Sequence, residues 1–296
     1  MKKHNHSLPI APLFIPGNRN HMFNKVLSFD LTWLIPDLED SVPEKEKSNA
    51  RNITKNAIEN LISSGKKIIP RVNSLNSGYF EEDLQSVLIP GIEGISIGKI
   101  QDENDLIQID KLISQAEKEK SINIGQTNLL PWIETAKGVM NSYEIFISSS
   151  RIKYAAFGAE DFCADMGIIR GDEIDGKAND YNILYARSQV AISAKAAHVH
   201  IIDTPYTSYK DESGLLIDIK NSKSLGYKGK FAIHPCQVNV IQNSFKYTEE
   251  EILWAKKILS NVKTFEEKGI GAIGVDGKMV DAPVILRAKN ILESII

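Results

Sequence analysis

Short, β-rich apolar runs recur along the chain, and between them apolar residues return every three or four positions. The first pattern suits strands buried on both faces and the second suits amphipathic helices, so the alternation predicts repeated βα units and a parallel sheet. The expected strands are Pro12 to Ile15, Trp33 to Pro36, Lys67 to Arg71, Gly94 to Ile97, Asn128 to Ile133, Lys153 to Phe157, His200 to Ile202 and Lys230 to Ile233. Eight such units close naturally into a (β/α)8 TIM barrel, whereas a doubly wound open sheet more often has fewer strands and a Gly-rich nucleotide turn.

Helix punctuation supports this reading. Ser41-Val42-Pro43-Glu44 has a capping-box pattern ahead of a stripe at Ala50, Ile53, Ala57 and Leu61. Thr248 and Glu251 form another, ahead of Ile252, Ala255, Leu259 and Val262, in a helix placed after the eighth strand. A polar, Gly-containing surface loop is expected over Asp172 to Asp180. Residues 1–268 are expected to form one catalytic barrel domain. The Gly-rich stretch from Gly269 and the short apolar-periodic helix that ends the chain read as a lid or intersubunit arm over 269–296.

Composition narrows the class. The chain has 296 residues, 42% of them apolar, enough to bury a full core, and its formal net charge of −3 offers no global basic field for nucleic acid or an anionic membrane surface. An anionic ligand must therefore be gripped locally. The two cysteines, Cys163 and Cys236, have no metal-type spacing and are expected to be packing residues in a reducing cytosol. No apolar h-region follows the opening lysines and nowhere do about 18 apolar residues run together, so the expected location is the cytoplasm.

In such a barrel the chemistry sits at the C-terminal ends of the strands. Those ends carry Pro16-Gly17-Asn18-Arg19, Asp37-Leu38-Glu39-Asp40, Arg71-Val72-Asn73, Lys99, Glu134, Gly158-Ala159-Glu160-Asp161, Asp203 and His234-Pro235, all expected at one mouth. Glu134 and Asp161 would supply hard oxygen ligands of the kind Mg²⁺ takes, although acidic residues at βα junctions also serve as helix caps. Arg71 has the planar fork to hold a carboxylate or an enolate oxygen, and an ion pair with Asp37 or Asp40 is compatible with that role. Arg19 and Lys99 are candidate phosphate contacts, against the alternative of solvated side chains. His198 and His200 lie at the wrong end of their strand and read as structural, and His234 is a lone histidine at the right end. No dinucleotide turn, zinc spacing or Ser-His-Asp order stands out.

Taken together, Ile15-Pro16-Gly17-Asn18-Arg19, Asp37-Leu38-Glu39-Asp40-Ser41-Val42, Arg71-Val72-Asn73, Ile133-Glu134-Thr135-Ala136, Phe157-Gly158-Ala159-Glu160-Asp161-Phe162 and Ile233-His234-Pro235 resemble the citrate lyase β-chain-like family. That family includes malyl-CoA and citramalyl-CoA lyases and belongs with the Mg²⁺-dependent pyruvate and acetyl-CoA aldolases. The resemblance implies Mg²⁺, with Mn²⁺ as a substitute, on Glu134 and Asp161, and Arg71 on the substrate. It also implies coenzyme A near Arg19 and Lys99, and a homotrimer or a hexamer built as a dimer of trimers. The chain departs from the pattern at Gly98, where a proline commonly precedes the lysine. Its tail, Gly277-Lys278-Met279-Val280-Asp281-Ala282-Pro283, resembles the lid segment of the malyl-CoA and citramalyl-CoA lyases, which implies a catalytic proton carrier at Asp281.

The expected activity is cleavage, or formation, of a short 3-hydroxyacyl-CoA to acetyl-CoA and a 2-keto acid, pyruvate or glyoxylate. The rivals are an aldolase of free hydroxy-keto acids, a malyl-CoA thioesterase, a citrate lyase β subunit acting on a citryl thioester, and a silent CoA-binding subunit.

Overall fold

The computed structural model describes residues 8–170, 181–266 and 273–294. The opening Met-Lys-Lys-His-Asn-His, the loop expected over 172–180, and residues 269–272 of the Gly-rich stretch lie outside the described residues, as does the expected domain boundary after residue 268. The chain divides into two compact units, Met1–Phe245 and Lys246–Ile296.

In the first unit, β1 (Leu13–Pro16), β2 (Trp33–Asp37), β3 (Lys67–Ile68), β4 (Arg71–Val72), β5 (Gly94–Ile97), β6 (Asn128–Ile133), β7 (Tyr154–Phe157), β8 (His200–Asp203) and β9 (Gly229–Lys230) form one parallel sheet. β3 and β4 are two halves of a single rung, split at Pro70, which has no N–H to give to the ladder. The sheet closes on itself. Lys230 N–H donates to Ile10 O at 2.8 Å, Ala232 N–H to Pro12 O at 2.9 Å, and Phe14 N–H to Ala232 O at 2.9 Å. The expected barrel is present, with its eight rungs where the apolar runs lie.

The strands are apolar throughout because both faces are covered. Along β6, Leu130 and Trp132 face the barrel interior, whereas Leu129 and Ile133 pack outward under the helices. The interior is unusually aromatic. Trp132 lies 4.5 Å from Phe231 between ring centroids, Phe14 lies 5.4 Å from Phe231, and Trp132 Nε1–H donates to Ser96 Oγ at 2.8 Å.

Several local expectations change. Ser41 caps no helix: its N–H donates to Asp37 Oδ2 at 3.1 Å, and Pro43 leads into a 3-10 turn, Glu44–Glu46, before the helix Lys47–Ser63. That helix buries Ala50, Thr54, Ile58 and Leu61, so its core face is rotated from the expected stripe. The helix completing the eighth βα unit is Pro235–Phe245, and Glu249–Glu266 belongs to the second unit. Cys163 is buried as expected, but Cys236 is exposed, because it lies in the outward-facing first turn of Pro235–Phe245 with its Sγ 2.9 Å from His234 Nδ1. His200 is structural as expected, half-buried and edge-on to Tyr154.

The second unit packs Ala255, Ile258, Val275, Val280 and Ala288 together. Thr248 and Glu251 make the expected capping box, with Thr248 N–H donating to Glu251 Oε2 at 2.8 Å and Glu251 N–H to Thr248 Oγ1 at 3.1 Å. A hairpin that the glycine count concealed, β10 (Ile273–Val275) with β11 (Lys278–Val280), turns at Asp276-Gly277, whose φ values of 51° and 74° are those of a type I′ turn. The terminal helix Ala282–Glu293 follows. Among the described residues, no helix is long and apolar enough to cross a membrane.

Candidate active site

At the C-terminal ends of the strands is a cavity of about 370 Å³. Phe14, Trp132, Pro205 and Ile233 form apolar parts of its lining, and Asp37, Asp40, Arg71, Glu134, Glu160 and Asp161 form charged ones.

Arg71, at the start of β4, is clamped by the loop that follows β2. Its Nε–H and Nη2–H donate to the two oxygens of Asp37, both at 2.7 Å. Its Nη1 reaches Asp40 Oδ2 at 2.9 Å and Glu39 Oε2 at 3.2 Å. Its guanidinium lies over the Phe14 ring, 4.8 Å from the centroid. Burial works against the charge, but Asp37, Glu39 and Asp40 outweigh it and hold the pKa above its ordinary value. Of the five N–H groups, one on Nη2 has no acceptor among the described residues.

Glu134, at the end of β6, is buried, and its Oε1 accepts the Lys99 N–H at 2.6 Å. Lys99 takes a left-handed φ of 60° to aim that N–H, an uncommon conformation for a side-chain-bearing residue. Glycines flank the carboxylate on both sides. A Cβ at Gly98 would lie 2.5 Å from Glu134 Oε1, and one at Gly158 would collide with Oε2. Burial, with the charges of Asp161 and Glu39 adding to it, pushes the Glu134 pKa up to about 8.

Asp161 is in the first turn of the helix Ala159–Met166, and its pKa is raised by burial and by Asp40. Neither acid caps a helix. Thr135 caps the helix after β6, accepting from Gly138 N–H at 3.0 Å, and the helix after β7 has Gly158 at its N-cap with no side-chain bond. The capping alternative thus has no support at either position.

The chain matches the HpcH/HpaI aldolase/citrate lyase family over residues 11–235, from just before β1 to just past the closing strand. The chain belongs to that family. Citrate lyase subunit beta of Leuconostoc mesenteroides subsp. cremoris is 32% identical over 289 residues, covering 98% of this chain and 94% of the relative. Mitochondrial citramalyl-CoA lyase of Rattus norvegicus is 30% identical over 292 residues, covering 95% and 84%. Both relatives are lyases, and family membership makes this chain an enzyme of that class. The crystal structure of CitE from Mycobacterium tuberculosis in complex with magnesium, acetoacetate and coenzyme A matches with a TM-score of 0.79 at 24% identity, covering 96% of this chain and 97% of that one, a likeness of fold.

Within the family's barrel, the remaining candidates fall differently. Lys99 Nζ sits 3.1 Å from Glu39 Oε1, 3.7 Å from Asp40 Oδ1 and 4.0 Å from Asp161 Oδ1, so its ammonium is committed to the acidic cluster. Arg19 is exposed at the N-cap of the helix Asn20–Val26, and its side chain makes no hydrogen bond or ion pair among the described residues. Asp281 belongs to the second unit and caps the terminal helix, with Val284 N–H donating to its Oδ1 at 3.4 Å. Asp203 does not open onto the mouth as expected, because its carboxylate turns outward into ion pairs with Arg187 and Lys230. His234 stacks on Tyr209 with ring centroids 4.8 Å apart. The aromatic lining escaped sequence reasoning, since which residues of an apolar run face inward is fixed only on closure. Glu160 stands out in the sequence only as part of its motif, and its partner Arg170, at 2.6 Å, carries no local signal.

The donor set fits a divalent cation. Asp37, Glu39, Asp40, Glu134 and Asp161 outnumber Arg71 and Lys99, and at Glu134, whose pKa is raised first by burial, the charges of Asp161 and Glu39 add to the rise. Among the described residues, no group of three or more His, Cys, Asp or Glu is arranged to enclose an ion alone. Glu134 and Asp161 are the acids that would hold Mg²⁺, an ion that takes one or two protein carboxylates and completes its shell with water or substrate oxygens.

Proposed function

We propose that the protein is a Mg²⁺-dependent carbon–carbon lyase that cleaves, and reversibly forms, a short 3-hydroxyacyl-CoA, giving acetyl-CoA and a 2-keto acid. The observation that carries this reading is the convergence of Glu134, Asp161 and the clamped Arg71 on one cavity. The magnesium and coenzyme A named with the M. tuberculosis CitE structure agree with it.

When bound, Mg²⁺ supplies Lewis-acid polarisation that lowers the cost of taking the proton from the substrate's hydroxyl. Glu134 and Asp161 hold the ion. The uncommitted Nη2–H of Arg71 offers a fixed donor to a substrate oxygen that gains negative charge as the bond breaks. In net terms the hydroxyl proton ends on the enolate carbon that becomes the methyl group of acetyl-CoA, and this reading gives the delivery to that carbon to Asp281, whose Oδ2 accepts no hydrogen bond among the described residues. Arg19, free of side-chain partners at the β1 turn, is assigned to a coenzyme A phosphate.

Citrate and citramalyl-CoA, the compounds in the relatives' names, differ at the hydroxyl-bearing carbon, where the first has a carboxymethyl group and the second a methyl. A cavity lined by Phe14, Trp132, Pro205 and Ile233, in which the Arg71 guanidinium is already paired with carboxylates, favours an uncharged branch. Mass spectrometry of reactions with citramalyl-CoA, malyl-CoA and citryl-CoA tests this. Acetyl-CoA with pyruvate or glyoxylate, abolished by a chelator and restored by Mg²⁺, is the expected result. Free malate or citramalate would identify a thioesterase instead, and no cleavage of any of the three would refute the proposal.

A further inference from the structure

The acidic loop that clamps Arg71 is itself gripped from behind. Lys47, the first residue of the helix Lys47–Ser63, is buried, and its Nζ donates to Leu38 O at 2.7 Å, Glu39 O at 2.7 Å and Asn73 Oδ1 at 2.8 Å. Those three bonds use all three of an ammonium's donors. Asn73 Nδ2–H donates to the same Leu38 carbonyl at 2.8 Å, and its N–H and Nδ2–H both reach Asp83 Oδ2, at 2.9 and 2.6 Å. Asp83 is fixed in turn by Arg51 Nε–H at 2.7 Å.

Two features separate this lysine from an ordinary helix residue. A cation in the first turn faces the positive end of the helix dipole, an unfavourable place for it. Among the described residues it also forms no ion pair with a carboxylate, and its three donors go to two peptide carbonyls and the Asn73 side-chain amide oxygen. The helix therefore does not explain the lysine, but the loop does.

We infer that Lys47 is a positioning residue for Arg71, its ammonium holding the carbonyls of Leu38 and Glu39 so that Asp37, Glu39 and Asp40 keep the guanidinium in one orientation. On the loop's other side, Leu38 N–H donates to Arg71 O at 2.9 Å, and Glu39 and Ser41 N–H donate to the Asp37 carboxylate at 3.0 and 3.1 Å. Without the ammonium, among the described residues Glu39 O keeps only the Val42 N–H, and Leu38 O keeps only Asn73. The catalytic consequence rests on the proposed function, whereas the effect on the loop does not.

The test compares Lys47→Met and Lys47→Arg with the full-length enzyme. Hydrogen exchange read by mass spectrometry should quicken at least about tenfold at Leu38, Glu39, Ser41 and Val42 in Lys47→Met, and stay unchanged along the rest of the helix 47–63. kcat should fall roughly tenfold to a hundredfold, as expected when a catalytic group is misplaced, while Mg²⁺ affinity by calorimetry and KM stay within about threefold. Lys47→Arg, which keeps a cationic donor, should recover part of both losses. Faster exchange confined to the helix, or kcat within about twofold of wild type, would overturn the inference. If the wild-type enzyme cleaves no hydroxyacyl-CoA, the proposed function fails, and the exchange data still decide the role of Lys47. Should Lys47→Met not fold, Asn73→Ala removes one Leu38 donor while leaving the ammonium, and the same exchange pattern is expected of it.

Discussion

Two ionic clusters sit at the ends of strands in the same barrel, and they differ in balance. Behind β8 and β9, Asp203 and Asp218 face Arg187 and Lys230, with Lys230 Nζ 2.8 Å from Asp203 Oδ2 and 2.5 Å from Asp218 Oδ2. Ser222 Oγ–H donates to Asp203 at 2.6 Å, and Tyr227 O–H donates to Arg187 O at 2.9 Å, so the group is closed and neutral. Around the cavity, carboxylates are in excess. The carboxyl pKa values diverge accordingly: burial raises both, but Arg187 and Lys230 bring Asp203 well below the carboxylate range, while nearby acids add to the rise at Glu134. Acidic residues at strand ends therefore serve structure or chemistry according to whether the fold completes their charge.

The sharpest break of this comparison is to neutralise one acid in each cluster. Glu134→Gln should lower Mg²⁺-dependent turnover about 10⁴-fold, ~5 kcal/mol in the barrier, in steady-state assays. Its melting temperature should hold or rise, because a buried carboxyl among like charges has been removed. Asp203→Asn should do the reverse, costing about 4 kcal/mol in urea unfolding by leaving two buried cations underpaired, with kcat per folded molecule nearly unchanged. Equal stability losses in the two variants would erase the distinction.

A smaller effect separates the clusters by acid. With its depressed pKa, Asp203 keeps the closed cluster ionised to low pH, so acid sensitivity on this strand enters at its other end. Burial lowers the His200 pKa from 6.5 to about 4. The unfolded chain therefore takes up that proton first, and stability complete above pH 6.5 is lost as the pH falls towards 4, by at most about 3 kcal/mol. Denaturation profiles of wild type and His200→Gln across that range measure the difference, and parallel profiles would remove His200 from the account.

The rungs were legible because a buried parallel strand needs an unbroken apolar run, and the run is visible without knowing its neighbours. The orientation of the polar residue ending each run was not. Asp161 and Asp203 both follow strand runs in the sequence, yet Asp203 is turned away from the mouth by Arg187 on the helix Leu184–Ala196, Ser222 on the helix Glu212–Leu225 and Lys230 on β9. Ser41 makes no capping box because Asp37, four residues earlier, takes its N–H. The hairpin at Asp276-Gly277 had a signal, a turn dipeptide between short runs, that the surrounding glycines masked.

Ring closure has a consequence for how the protein is made. Residues 10–14 find their partners at residues 230–232, a separation of roughly 220 positions, which puts this seam among the latest contacts to become possible. A ribosome that has delivered the first seven rungs holds an open-edged intermediate, and the mouth that gathers Arg71 and Glu134 acquires its last wall only when the eighth emerges.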